Sequence, residues 1–234
     1  MTGLVGQAAL LGVCGLLMAG TLFAAVPDPA HSSIPGVVYL VGRNSSGVDA
    51  YGTFTVTIRD FSNAAKANAD VRLDFTNCTD GALCLDAVAG AGTPDCSGAL
   101  KEVHGTTNLA GQVTFTIQGG RKAPAPASIS ATGSPPGPAA GCVQIFANGV
   151  PMRNASAVYV NQSFLDGSPV DGGDTHVEQL EVACAGLGAP YRARHDLDFD
   201  GVINGGDTSA MQAQVNRAGL GVGTTIGCTS ICPN

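Results

Sequence analysis

The densest run of metal-type donors lies in one window of the chain: Asp196-Leu197-Asp198-Phe199-Asp200-Gly201-Val202-Ile203-Asn204-Gly205-Gly206-Asp207. Oxygen-bearing side chains stand at positions 1, 3, 5, 9 and 12 of these twelve residues. A spacing of two turns alternate carboxylates toward one point. Gly201 at position 6 allows the sharp turn such a loop needs, and Ile203 at position 8 is the residue that packs inward. Six to eight oxygens at about 2.3–2.6 Å are what calcium requires. The window therefore predicts one Ca2+ held by Asp196, Asp198, Asp200, the carbonyl of Val202, Asn204 and Asp207, with Asn204 acting directly or through water. Asp207 stands where a longer Glu is usual, so the loop must close more tightly. Without a cation the four carboxylates repel one another. The expected affinity is on the order of 10⁻⁴ to 10⁻⁶ M, between extracellular modules and sensors.

No other residue group has the spacing of a reactive site. The four histidines, His31, His104, His176 and His195, sit in no HExxH or HxH arrangement, and there is no G-x-S-x-G elbow or phosphate loop. Glu occurs only at Glu102, Glu178 and Glu181. Tyr39, Tyr51 and Tyr159 are the aromatics of the strand region that could face a sugar, although strand positions more often make such residues core. The chain is expected to be no enzyme and to hold no catalytic residues.

The element that positions the donor window is duplicated. Residues 172–188 read GGDTHVEQLEVACAGLG and residues 205–221 read GGDTSAMQAQVNRAGLG, with ten of 17 positions identical at an offset of 33. Each copy opens on an Asp, favourable at a helix N-terminus, and is expected to run to Gly186 or Gly219 as a left-handed cap. In the second copy Met211, Val215 and Ala218 share one face, the pattern of a core stripe.

Residues 33–160 alternate instead with period two. Phe54, Val56 and Ile58 share a face, as do Val71, Leu73 and Phe75, then Val113, Phe115 and Ile117, then Val143, Ile145 and Ala147. Residues 37–41 form a continuous apolar run and residues 158–160 a shorter one. Short strands between Gly, Asn, Asp and Pro clusters predict an antiparallel β-sandwich. The Pro-, Ala-, Ser- and Gly-rich residues 123–141 read as a long loop within it, and residues 76–103 as a loop carrying three cysteines. The fold class is thus mainly β, a sandwich followed by a small α-helical, EF-hand-like calcium module.

Residues 3–25 contain no charged side chain. The run is expected to be a signal peptide (1–25) cleaved near Ala24 or Ala25; a retained signal anchor is the alternative, since it is long enough to span a bilayer. Beyond it lie Cys78, Cys84, Cys96, Cys142, Cys184, Cys228 and Cys232, which behind a signal read as disulfides whose pairing stays open. The protein is expected to be secreted, extracellular or on a bacterial cell surface. A net charge of −7 excludes nucleic acid and anionic membrane surfaces as electrostatic partners, and membrane contact is expected only if the apolar segment is retained.

Two resemblances follow. Residues 69–75 (ADVRLDF) and 107–115 (TNLAGQVTF) resemble the bacterial Ig-like domains of the invasin type, with Gly111 making the turn and Val113 and Phe115 pointing inward. This implies an Ig-like domain over 33–160. The DxDxDGxINxxD loop followed by one helix, inside a duplicated unit, resembles a type I dockerin over 161–222, leaving a Cys-containing tail at 223–234. Dockerins imply calcium, a cohesin-like protein or cell-surface component as partner, and polysaccharide breakdown as setting, so a carbohydrate-binding accessory role is the alternative function. In the first copy only Asp171 and Asp174 align as ligands, a weak second site. Gly172, Gly173, Gly205 and Gly206 occupy the positions where dockerins present side chains to cohesins.

Overall fold

The computed structural model describes residues 26–78, 81–84, 89–90, 93–96, 101–121, 141–161, 169–186, 195–198, 200 and 202–224. The expected signal segment, residues 122–140, the first-copy loop up to residue 168, Gly201, Cys228 and Cys232 lie outside the described residues.

Among the described residues twelve strands precede two α-helices: β1 (Val37–Val41), β2 (Arg43–Asn44), β3 (Gly47–Val48), β4 (Thr53–Thr57), β5 (Asp70–Asp74), β6 (Gly81–Leu83), β7 (Ala89–Gly90), β8 (Thr93–Asp95), β9 (Glu102–Thr106), β10 (Gln112–Arg121), β11 (Val143–Ala147) and β12 (Val150–Tyr159), then α1 (Gly172–Gly186) and α2 (Gly205–Gly219). The architecture is mainly β. Ten strands share one sheet whose path runs β4-β10-β1-β12-β11-β5-β9-β8, with β6 and β7 also on β10; β2 and β3 form a small hairpin.

The sheet is mixed, which corrects the expectation of a purely antiparallel one. β1 lies parallel to β10 (Leu40↔Ile117) and to β12 (Val37↔Ser156 through Leu40↔Tyr159). Every other pairing is antiparallel.

The sheet is open, but it folds over so that β9 faces β10 across one core. A methyl group on Gly105 of β9 would sit 2.7 Å from the Phe115 ring and 2.8 Å from Val113 of β10, so β9 crosses the face of β10 at a distance only glycine permits. The inward residues of the alternating strands, among them Val56, Leu73, Val103, Phe115 and Ile145, form that core. Each such side chain contributes roughly 1.5–3 kcal/mol by leaving water. The Cys78–Cys142 disulfide ties the end of β5 to the start of β11; Cys84 and Cys96 are also disulfide-bonded.

The continuous apolar run of β1 has a second use. Val38 and Leu40 enter the main core, while Val37, Tyr39 and Val41 turn outward into a second cluster with Val158, Val160, Val170, Leu197, Met211 and Ala218. This cluster joins the β unit to the helical pair. Met211, Val215 and Ala218, read as a core stripe, do lie on its face of α2. The C-terminus of α2 differs from expectation: the left-handed residue is Gly221 (φ 73°) and not Gly219. Gly221 N–H donates to Ala218 O, and the Val222 and Gly223 amides donate to Arg217 O, which folds the tail back toward β2.

Candidate calcium site

The donor window is built onto the start of α2. Asn204 is the N-cap, its side-chain oxygen accepting from Gly206 N–H at 2.6 Å, and the Asp207 carboxylate returns to the Asn204 N–H at 2.8 Å. This reciprocal box fixes residue 12 of the window relative to residue 9. The other Asp207 oxygen accepts from Leu197 N–H at 2.6 Å, closing the far end of the loop onto the same carboxylate.

Asp196, Asp198 and Asp207 converge. One oxygen from each lies within 4.8 Å of the other two. Oxygens sharing a calcium at about 2.4 Å from each can be no more than about 4.8 Å apart, so the three can ligate one ion together. Asp196 and Asp207 are buried and Asp198 is exposed. Burial pushes the Asp207 carboxyl above its ordinary range, opposed by the amides of Asn204, Leu197 and Asp198. An uncharged or cation-neutralised Asp207 is what that environment favours.

Asp200 does not join this converging group, and the remaining expected donors are bonded among themselves. Val202 N–H donates to Asp200 Oδ1 at 2.8 Å, and Asn204 Nδ2 reaches Asp200 Oδ2 at 3.0 Å and Val202 O at 3.5 Å. Asn204 therefore caps the helix and holds Asp200 beside the Val202 carbonyl. Donation to an ion through water suits it better than direct ligation, because Gly206 already occupies its oxygen.

Gly206 is tied to the same geometry. A Cβ there would lie 2.2 Å from Asp198 Oδ2, so the Asp198 carboxylate rests against bare backbone at the head of α2. A Cβ on Gly205 would meet nothing within 4 Å.

In the first copy Asp174 Oδ2 accepts from Asp171 N–H at 2.9 Å and Asp171 Oδ1 from Gly173 N–H at 2.7 Å. These carboxylates cap α1 much as Asn204 and Asp207 cap α2. Among the described residues neither belongs to a cluster of three potential ligands.

Sequence reasoning left out what fastens the loop. Tyr39 Oη donates to the Leu197 carbonyl at 2.8 Å, linking β1 to position 2 of the window. Burial, then the neighbouring Tyr51, pushes the Tyr39 phenol above its ordinary range, so it remains a donor at all physiological pH. Tyr51 meets Tyr39 edge-on with centroids 4.9 Å apart, and the Arg217 guanidinium of α2 lies 4.9 Å from the Tyr51 ring. Arg217 also pairs at 2.7 Å with the fully buried Asp49, which accepts from Thr224 as well. Thr224 in turn accepts from Gly42 N–H, and Asn44 donates to Val222 O. Tyr39 and Tyr51 are thus committed to this joint, and Tyr159 lies in the main core; none of the three is laid out as a sugar platform.

His195, next to the first ligand, is wholly buried and pairs at 2.8 Å with the equally buried Glu178 of α1. The other histidines are placed on the surface or in strand networks: His31 with Asp28, His104 with Glu102 and Asp70, and His176 exposed on α1. Comparisons with protein-family models, curated proteins and solved structures match nothing to this chain.

Proposed function

We propose that this chain is a non-catalytic, extracytoplasmic calcium-binding protein in which an Ig-like β unit is clasped by a dockerin-like helical pair through a calcium loop. Calcium is structural in this reading. Three like charges drawn within 4.8 Å destabilise the closed loop until a cation neutralises them, so binding energy appears as stability of the joint. The observation that carries the reading is the convergence of Asp196, Asp198 and Asp207 in a loop whose second residue is packed in the shared cluster and bonded to Tyr39. The face of the helical pair that holds Leu197 and Met211 is used within the chain. That supports an internal clasp over docking to a cohesin-like partner, as do the bare glycines at the window's tenth and eleventh positions. The disulfide at Cys78–Cys142 supports an oxidising compartment.

The test is calorimetric titration of the full chain with calcium, followed in parallel by tyrosine emission, since the chain has no Trp. One ion per chain is expected, lost in Asp200→Ala. Tyr39→Phe removes a hydrogen bond worth about 1 kcal/mol and should weaken calcium up to about fivefold, because coupling between the joint and the ion is reciprocal. Absence of binding at millimolar calcium removes the site. Unaltered affinity in Tyr39→Phe removes the clasp while leaving the site standing.

A further inference from the structure

Before it becomes β1 the chain is held toward β4. Pro27 bridges to Asp60, and Ser33 exchanges two hydrogen bonds of 2.9 Å with Thr57, as donor to its O and as acceptor from its N–H. β1 joins β12 only from Ser156 onward. The first half of β12 therefore has β11 on one side and no strand of β1 on the other. Between it and the incoming segment lies a cleft of about 470 Å³, lined by Pro29, Ala30, Ser32, Ile34, Met152 and Arg153. That volume is in the range of small-molecule sites, about 300–1,000 Å³.

Met152 and Arg153 are consecutive on a strand, where side chains ordinarily face opposite ways. Both line the cleft because the register against β11 slips here. Ile145 pairs with Arg153 and Phe146 with Pro151, which leaves Met152 without a cross-strand partner. A bulge of this kind re-aims a side chain, and it brings Arg153 to the wall.

Arg153 is the one charged residue of the lining. Among the described residues its guanidinium makes a single hydrogen bond, Nη1 to Ile34 O at 3.4 Å, and no ion pair. Nε is buried with no partner. The neighbouring acceptors are engaged elsewhere. Asp28 accepts from Ala30 N–H and pairs with His31, and the Ser32 hydroxyl is bonded to the Arg59 backbone on both sides. The cleft thus holds a cation whose Nε–Nη2 edge has no acceptor in the chain, beside an otherwise apolar lining of Pro29, Ala30, Ile34 and Met152. That edge is a planar two-donor fork, the match for the two oxygens of a carboxylate. A phosphate would leave its remaining oxygens against apolar side chains.

We infer that this cleft binds a carboxylate carried on a short apolar chain, the carboxylate on Arg153 and the chain on Ile34, Met152, Pro29 and Ala30. The bond from Nη1 to Ile34 O is long for a hydrogen bond, so the guanidinium can give it up and turn its Nε–Nη2 edge to the ligand. The site lies in the β unit, and the inference does not depend on calcium binding.

The test is ligand-observed NMR titration of the full chain with hexanoate, with its neutral counterpart hexanamide, with inorganic phosphate, and with an N-acetyl dipeptide ending in leucine. Hexanoate and the dipeptide present the same chemistry as a free acid and as a chain terminus, and the tighter of the two identifies the source. Hexanamide and phosphate should each bind about tenfold more weakly or worse than the carboxylate. Arg153→Met should lose the carboxylate by a similar factor. Ala30→Leu keeps the cation but fills the cleft from an exposed position, where the fold tolerates the change, and should lose it too. The inference is overturned if neither carboxylate binds at millimolar concentration, if hexanamide or phosphate binds as tightly, or if a folded Arg153→Met or Ala30→Leu chain keeps parental affinity.

Discussion

Gly205 and Gly206 are neighbours in the first turn of α2, yet alanine should weaken calcium binding at only one of them. Replacing Gly by Ala in a helix stabilises it by up to about 1 kcal/mol, less near an end. At Gly205 the new methyl meets open space, so helix and calcium loop both keep their geometry. At Gly206 the methyl would stand 2.2 Å from Asp198 Oδ2 and 3.1 Å from Asn204 Oδ1, well inside contact distance. Asp198 is exposed and can swing away at little cost to the ion-free fold, but it then leaves the triad. Loss of one carboxylate from the shell should weaken calcium by about tenfold or more, roughly 1.4 kcal/mol. At a free calcium 100 times the original dissociation constant, the ion stabilises the parent by about 2.7 kcal/mol and Gly206→Ala by only about 1.4 kcal/mol. Calorimetric titration gives the affinities, and chemical unfolding with chelator and with calcium gives the stabilities. Gly205→Ala should match the parent in affinity. If Gly206→Ala also binds with parental affinity, Asp198 is no ligand and the reasoning from its carboxylate fails.

Two further outcomes concern the β unit. Cys78→Ser with Cys142→Ser opens a loop of 64 residues, and the chain-entropy relation puts the loss at about 4 kcal/mol; urea unfolding with a loss under about 1 kcal/mol would show that the bridge constrains little. Asp60, whose carboxylate is held below its usual range first by Ser62 and then by the Ala64 amide, contributes stability that is fully present above the ordinary carboxylate pKa of about 3.9 and is lost as pH falls through its lowered folded value. Asp60→Asn should remove that part of the acid-side decline in melting temperature, and an unchanged profile would refute the assignment.

Much of this architecture was legible wherever the signal was local. β11 coincides with the alternating run at 143–147, and β1 with the apolar run at 37–41. The unbroken character of that second run was itself informative, because β1 buries one face in each of two clusters. The repeat delimited α1 and α2. Elements defined by distant partners were not legible. β12 begins at Val150 among Pro151, Arg153 and Asn154, residues that read as loop because pairing with β11 and β1, and not alternation, makes them strand. β6, β7 and β8 are two or three residues long and exist through the edges they pair with. The parallel setting of β1 depends on contacts more than 70 residues away. At the site, the window named the converging carboxylates. The fastening contacts from Tyr39, Arg217 and Glu178 could not be read, since each joins residues from separate segments.

The buried His195–Glu178 pair bears on how the duplicated halves relate. Glu178 stands 33 residues before Met211, at the matching place in the repeat. Where one half places the apolar Met211 in the cluster against the β unit, the other holds a buried glutamate hydrogen-bonded to histidine. A pair of identical halves could lie on β1 in either of two orientations related by a half-turn, with equal energy. Here the half-turned arrangement would press the Glu178–His195 pair, in place of Met211, toward the apolar side chains of Val41 and Val158, at a cost of several kcal/mol. Divergence of the two copies has thus removed a degeneracy: a unit born symmetric now has one way up.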